Sequence, residues 1–438
     1  MLLRDPVHGL IAFESAESAL LPRLLETAEV QRLRRIKQLG LASLAYPGAD
    51  HTRFSHAIGT AHVMQRLVER LRALHGELPY WQRLTSERAR EALVAALLHD
   101  LGHGPFSHLF EEALPDGPRH EEWTRRVLLD DGTEVGRSLR EVDPALPARV
   151  AELVHGRHEL GYLARAVSGT FDVDRSDYLL RDAHFTGVSY GRFDLDWLLR
   201  SFRFGDAPET EGGPGLAIDG AKGLPAIESF VLARLFMFQQ VYFHKAGRAA
   251  EQMITRILAR VRVLLLDGQR LPGVPPAIAT LAMTGDCSLG TYLELDDAVL
   301  SVALRAWQDA PDPILADLAR RMNRRRLFKT HELLGEQREP EARQRALERA
   351  RDVARGHGLA PEHYVGLDVA EDVPFAGEDE PLTVILGGGR RARPSEVSFL
   401  LARLQSERLR RVRLVFAPEI REAVVAAVEA DAPHGAVT

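Results

Sequence analysis

Apolar residues recur at intervals of three and four from Ile58 through Val63, Met64, Leu67, Val68, Leu71 and Leu74, which predicts an amphipathic helix burying one stripe. A second helix is predicted over Glu87 to Leu101. It is nearly all apolar after Ala92, so it belongs in the centre of a core, and Gly102 is placed to end it. Residues 20 to 200 read mostly as helix. The period then changes: Phe202-Arg203-Phe204, a Gly/Pro/Glu-rich turn and Leu216-Ala217-Ile218-Asp219 predict a short β-hairpin. Helical spacing resumes from Ile227 to Leu265, where Phe230, Leu235, Phe236, Phe238 and Tyr242 stand among aliphatics and are assigned mostly to the core.

Beyond about residue 330 the texture shifts to an arginine- and glutamate-rich helix (Glu339 to Arg355) and an acidic Pro/Gly stretch (Glu371 to Pro381). A strand at Leu382 to Leu386, a helix at Ser395 to Ser406, a strand at Val412 to Phe416 and a last helix near Pro418 to Glu429 follow. The expected fold is therefore mainly α. A helical domain with a short β-hairpin spans 1–330, and a smaller C-terminal α/β domain in two layers spans 331–438. Gly387-Gly388-Gly389-Arg390-Arg391 lacks the lysine of a P-loop and the spacing of a dinucleotide fingerprint, so it reads as a turn.

The 438 residues are 45% hydrophobic and 27% charged, which excludes a disordered, collagenous or secreted mini-scaffold chain. A formal charge of -6 leaves no chain-wide cationic field for nonspecific nucleic-acid binding, so an anionic ligand has to be met locally. The basic clusters at Arg32, Arg34, Arg35 and Lys37 and at Arg320 to Arg326 alternate with helix formers and read as solvated helix faces. Cys287 is the only cysteine, which removes internal disulfides and cysteine-cluster zinc sites; it is expected to be a buried small apolar residue. No basic leader precedes an apolar core, and runs such as Ala92 to Leu98 are far too short to cross ~30 Å of hydrocarbon. A cytoplasmic protein without membrane contact is expected.

One count is lopsided: of 17 histidines, 12 fall within the first 184 residues, which raises the prior for metal or acid-base chemistry there. His99-Asp100 ends the apolar helix, where a charged residue beside imidazoles is costly unless paired or metal-bound. Arg53 and His56 share a face at i, i+3 and could set a phosphate donor beside a metal ligand. Asp174, Tyr178 and Asp182 line one helix face at i, i+4 and i+8, among Leu179, Leu180 and Phe185. Two imidazoles and two carboxylates suit Fe, Mn, Zn or a related divalent ion, which acidifies water and polarises a phosphoryl oxygen. Hydrolysis of a phosphoester or phosphoanhydride follows.

His56, His99-Asp100 and Asp174 resemble the four metal ligands of the HD-domain phosphohydrolases. Asp5-Pro6-Val7-His8-Gly9, Gln31 to Gly40, Tyr46-Pro47-Gly48-Ala49, Arg53 to His56, His99 to His108 and Asp172 to Tyr178 carry the likeness further. Together they resemble the SAM-and-HD-domain type of dNTP triphosphohydrolase and its bacterial relatives. The likeness runs through Val241 to Lys245 and on to about Lys329, without a preceding SAM domain.

The resemblance implies a helical HD fold and one divalent metal on His56, His99, Asp100 and Asp174, with additional Mg accompanying the nucleotide. It implies phosphate binding by Arg53, His103, Arg234 and Arg175, the last standing where the family usually has lysine. His108 matches the in-site histidine, and Glu111 with His120 matches the pair that orients it; the carboxylate here is one methylene longer, and a solvated His120 beside acids is the competing minority reading. Gln38 and Asp182 match the binders of the 3′-hydroxyl, and Tyr178 with Tyr242 the wall against a 2′-hydroxyl, while Phe238 stands where a relative has histidine. The implied partners are a dNTP substrate, further copies of the chain in a dimer or tetramer, and an activator nucleotide near Gln31 to Arg35. Two other readings compete: an HD phosphohydrolase acting on another nucleotide or phosphoester, and a nucleotide-sensing or nucleic-acid-binding protein with a vestigial HD site.

Overall fold

The computed structural model describes residues 1–113, 117–205, 214–375, 382–405 and 407–430. Most of the Gly/Pro/Glu-rich turn, and 376–381 of the acidic stretch, lie outside these residues. The chain is mainly α, as its periodicity predicts, with small sheets. The first amphipathic pattern forms the helix Arg53–Leu74, which packs against Ser86–Leu98 and Val173–Thr186. Thr85 caps Ser86–Leu98 by accepting from the Arg88 N–H, and Asp172 caps Val173–Thr186 by accepting from Arg175 N–H. The predicted end at Leu101 is three residues too late: the helix stops at Leu98 and His99 is its C-cap. Gly102 serves a different purpose from the one expected, because a Cβ there would lie 2.0 Å from the His120 carbonyl oxygen of the helix His120–Leu129.

The hairpin is present, with Phe202–Phe204 paired antiparallel to Leu216–Asp219. It does not stand alone: Leu216–Asp219 also pairs parallel with Thr383–Ile385, which pairs with Arg391–Ala392. A further hairpin, Leu2–Asp5 with Gly9–Ala12, was not legible as strands. A three-stranded sheet runs Lys329–Glu332, Leu409–Phe416, Val365–Asp372, antiparallel throughout. Val365–Asp372 escaped the sequence reading because its Gly and acidic residues disfavour strands; its fully buried Asp368 is held by Arg248 Nη2 at 2.7 Å. The long aromatic-rich stretch divides into Gly220–Met237 and Lys245–Leu266 around a π-helical turn, Phe238–Tyr242. The predicted tail helix divides into Pro394–Val397 and Phe399–Leu404, with Ser398 capping the second.

Two hydrophobic cores result. One gathers most of the helices between Ile11 and Val241 together with Phe375 and Leu401 of the tail, and the other forms around Lys245–Leu266 and includes Phe106, Phe110 and Trp123, the tail strand Leu409–Phe416 and the helix Pro340–Gly356. The expected boundary at 330/331 therefore runs through one packed unit, since Lys329–Glu332 pairs with Leu409–Phe416 inside the second core. Phe230 is core as predicted, Phe236 is exposed, and Cys287 is half-buried rather than buried, with its thiol pushed up to about 11 by desolvation. Among the described residues no helix is long and apolar enough to cross a membrane.

Candidate active site

The helices Arg53–Leu74 and Val173–Thr186 and the C-cap of Ser86–Leu98 bring His56, Asp174 and His99 together, with donor atoms all within 4.8 Å of one another. His56 Nε2 is 2.9 Å from Asp174 Oδ1. His99 Nε2 lies 3.4 Å from both Asp100 Oδ1 and Asp174 Oδ1, yet it is buried and completes no hydrogen bond. An orphaned imidazole nitrogen facing two carboxylates fits a divalent cation, and nitrogen and oxygen donors are the set such an ion takes. Asp100, the fourth expected ligand, borders the trio and is also paired with Arg53 Nη1. Burial alone would lower the pKa of His56; hydrogen bonds to Asp174 and Asp177 instead raise it to about 10, so a cation bound by these atoms competes with that proton.

Beneath the trio lies a layer that sequence reasoning missed. His56 Nδ1 is 2.8 Å from Asp177 Oδ2, which fixes the ring with Nε2 toward the site. The same carboxylate meets His8 Nε2 at 2.6 Å and Arg181 Nε at 2.8 Å, and Arg181 Nη1 donates to Asp5 Oδ2 at 2.7 Å. His8 and Asp5 come from the N-terminal hairpin, and their presence in the Asp5 to Gly9 motif was the only signal. This network needs Gly59, where a Cβ would sit 1.9 Å from Asp177 Oδ1 and 2.3 Å from Arg181 Nη2. Gly59→Ala is expected to destabilise the protein by about 1–3 kcal/mol, as overpacking does, and to weaken metal retention; denaturant unfolding and metal analysis read both.

Arg53 donates from Nε to Ser107 Oγ at 3.0 Å while pairing with Asp100, so its guanidinium faces the centre from a buried position. His103 Nε2 lies 3.2 Å from Asp100 Oδ1, and burial and Arg53 hold its pKa well below the ordinary value, which keeps it neutral. The ring of His103 stacks on His120, centroids 4.0 Å apart at 18°, and His120 Nδ1 lies 2.8 Å from Glu111 Oε1. His120 is thus engaged with Glu111 rather than merely solvated. His108 begins the short helix His108–Ala113; its side chain lies outside the described residues. Arg175 lines the cavity with its guanidinium on Asp172 and the Gly169 carbonyl, and burial pushes the Asp172 carboxyl up to about 7.

A cavity of about 800 Å³ connects this centre to an aromatic wall built by Tyr178, Phe238 and Tyr242. Tyr242 donates to Asp182 Oδ2 at 2.8 Å, and His51 Nε2 meets Asp182 Oδ1 at 2.7 Å. His51, to which no role could be given from sequence, therefore locks the carboxylate that locks the tyrosine. Gln38 Oε1 is buried in the same cavity without a partner among the described residues, as expected of a group kept for a ligand. Arg234 is absent from the lining. It donates to Asp372 Oδ1 at 2.6 Å and to the Val373 and Pro374 carbonyls, tying Gly220–Met237 to the end of Val365–Asp372.

The family model described as HD domain matches residues 53–182, from Arg53 to Asp182, and the model for the HD associated region matches 193–265. The uncharacterized protein YwfO of Bacillus subtilis is 35% identical over 414 residues, covering 93% of this chain and 90% of that protein. The chain belongs to the HD-domain phosphohydrolase family. Within the family, the deoxynucleoside triphosphate triphosphohydrolase SAMHD1 of Bos taurus is 31% identical to this HD protein over 286 residues, covering 58% of this chain and 46% of that one. This HD protein therefore matches less than half the length of that relative. A solved phosphohydrolase from Bacteroides thetaiotaomicron superposes with a TM-score of 0.78 at 28% identity, over 95% of this chain and 99% of that chain.

Proposed function

We propose that this HD protein is a metal-dependent dNTP triphosphohydrolase, converting dNTP and water to deoxynucleoside and tripolyphosphate. The observation that carries the reading is one cavity lined both by His99 and Asp174, whose donors group with those of the buried His56, and by a tyrosine wall braced by Asp182. The SAMHD1 relatives, whose names state this activity, support it. A bound divalent ion supplies Lewis acidity toward a phosphoryl oxygen and acidifies water. Its holders in this reading are His56, His99, Asp100 and Asp174. Water gives up a proton as its oxygen bonds to the α-phosphorus, the bond to the 5′-oxygen breaks, and that oxygen takes a proton. His108 is assigned to the proton, with Glu111 and His120 as its support. Arg53 and Arg175, both lining the cavity, neutralise charge developing on the phosphate.

At the other end, Gln38 and Asp182 take the 3′-hydroxyl, and Tyr242, held by Asp182, leaves no space for a 2′-hydroxyl. Tyr242→Ala is expected to lower the dNTP/NTP ratio of kcat/KM by about 10-fold or more, the scale on which a pocket separates substrates differing by one group. Tyr242→Phe keeps the wall and should keep most of the ratio. The deciding experiment supplies the purified protein with each dNTP and NTP, with Mn or Mg, and resolves the products by chromatography. Tripolyphosphate from dNTPs is expected; pyrophosphate or orthophosphate alone would overturn the reading in favour of another HD phosphohydrolase chemistry. The proposal extends to a homo-oligomer responsive to a nucleotide near Gln31 to Arg35, which sedimentation with and without nucleotides tests.

A further inference from the structure

The loop from Leu101 to Ser107, between the expected ligand Asp100 and His108, is gripped from the second core. Tyr292 donates its hydroxyl to the Gly102 carbonyl at 2.7 Å, and Arg32 bridges the Leu295 and Leu101 carbonyls at 2.8 and 3.3 Å. At the end of the loop two consecutive non-glycine residues, Phe106 at φ 54° and Ser107 at φ 61°, occupy the left-handed region. L-residues rarely adopt that conformation, and it persists only where surrounding contacts impose it. Asp297, at the start of the helix Asp297–Ala306, supplies such a contact. Its Oδ1 accepts the Phe106 N–H at 2.8 Å and its Oδ2 accepts the Lys37 N–H at 2.9 Å.

One buried carboxylate thereby joins two segments at the cavity, around Gln38 and Phe106, that are distant in sequence. Lys37 precedes Gln38, whose amide oxygen faces the cavity, and Ser107 Oγ donates to the Lys37 carbonyl at 3.3 Å while accepting from Arg53. Asp297 itself does not line the cavity.

We infer that Asp297 is a positioning residue, acting from the second core through the strained Phe106–Ser107 turn and Lys37 to set Arg53 and Gln38 for the substrate. This rests on the phosphohydrolase reading above. Its chemistry requires a carboxylate: two backbone N–H groups approach its two oxygens, and an amide would turn a donor toward one of them.

The test is Asp297→Asn in the full chain, with Asp297→Ser as a second variant should the first fail to fold. Both are measured for metal content, for KM and kcat per folded chain, and for hydrogen exchange across the chain, including the peptides spanning 36–38 and 101–107. Expected are a metal content equal to wild type, a rise in KM of about 10-fold with a smaller change in kcat, and faster exchange confined to residues 101–107 and 36–38. Unchanged KM with lowered thermal stability would reduce Asp297 to a structural residue and overturn the inference. Unchanged exchange would overturn it as well. If the wild type hydrolyses no dNTP, the function proposal fails separately, and the exchange experiment still decides whether Asp297 holds the turn.

Discussion

Asp174→Ala is expected to abolish hydrolysis, by about 10³-fold or more, and to lower the metal content of the purified protein. The reason is positional: Asp174 Oδ1 stands 2.9 Å from His56 Nε2 and 3.4 Å from His99 Nε2, so its removal takes one donor from between the two imidazoles and leaves Asp100, already paired with Arg53, as the only carboxylate of the set. Losing several kcal/mol of Lewis-acid assistance corresponds to a rate loss of this size at ~1.4 kcal/mol per tenfold. The substitution should cost little stability, because the side chain is a third exposed to the cavity. Metal analysis, steady-state turnover and a thermal melt on the same preparation check the three parts. Wild-type turnover in the variant would remove Asp174 from the ligand set.

Asp177→Ala is expected to have the opposite balance, a large stability loss together with weakened metal binding. Its side chain is fully buried, and burial alone would raise its pKa, but Arg181, His56 and His8 hold it well below the ordinary carboxylate range. Removing it leaves the buried Arg181 facing Asp5 alone, a break that costs about 3–5 kcal/mol in buried pairs. It also frees the His56 ring to rotate, and loss of such a support lowers metal affinity ~10–100-fold. Asp177→Asn preserves the size and should recover part of the stability while retaining the metal defect. Denaturant unfolding gives the first quantity and competition with a chelator the second. A variant as stable as wild type would show that the network beneath the metal centre carries little energy.

The two predictions differ because Asp174 and Asp177, three residues apart on one helix, face different surroundings. The sequence offered both as acidic residues of one motif. Asp174 could be selected from its spacing to Tyr178 and Asp182 and from its likeness to a known ligand set. Asp177 could not, because its significance lies in His8 and Arg181, and the former arrives from a hairpin 169 residues away in the chain. The same holds for His51, whose ring meets Asp182 across 131 residues. Arg234 shows the reverse case: the motif suggested a phosphate contact, and the fold commits its guanidinium to Asp372 and two carbonyls of the tail.

By itself, the sequence determined the local periodicities and thus the principal helices, the Phe202 to Asp219 hairpin, and the residue types that gather His56, His99, Asp100 and Asp174 into one candidate centre. The helices and the hairpin are properties of short windows, where helix and strand geometry decide which side chains share a face; the grouping of the four ligands came from the likeness of their motifs to the HD-domain phosphohydrolases. Tertiary structure alone decided that the tail divides between two cores, its strand Leu409–Phe416 packing with Lys245–Leu266 and its Thr383–Ile385 joining Leu216–Asp219, that His8, His51 and Asp177 stand behind the site, and that Asp297 accepts from its strained loop. Each of these depends on contacts between distant segments, and a buried polar group declares its purpose only when the partner that satisfies it has been brought beside it.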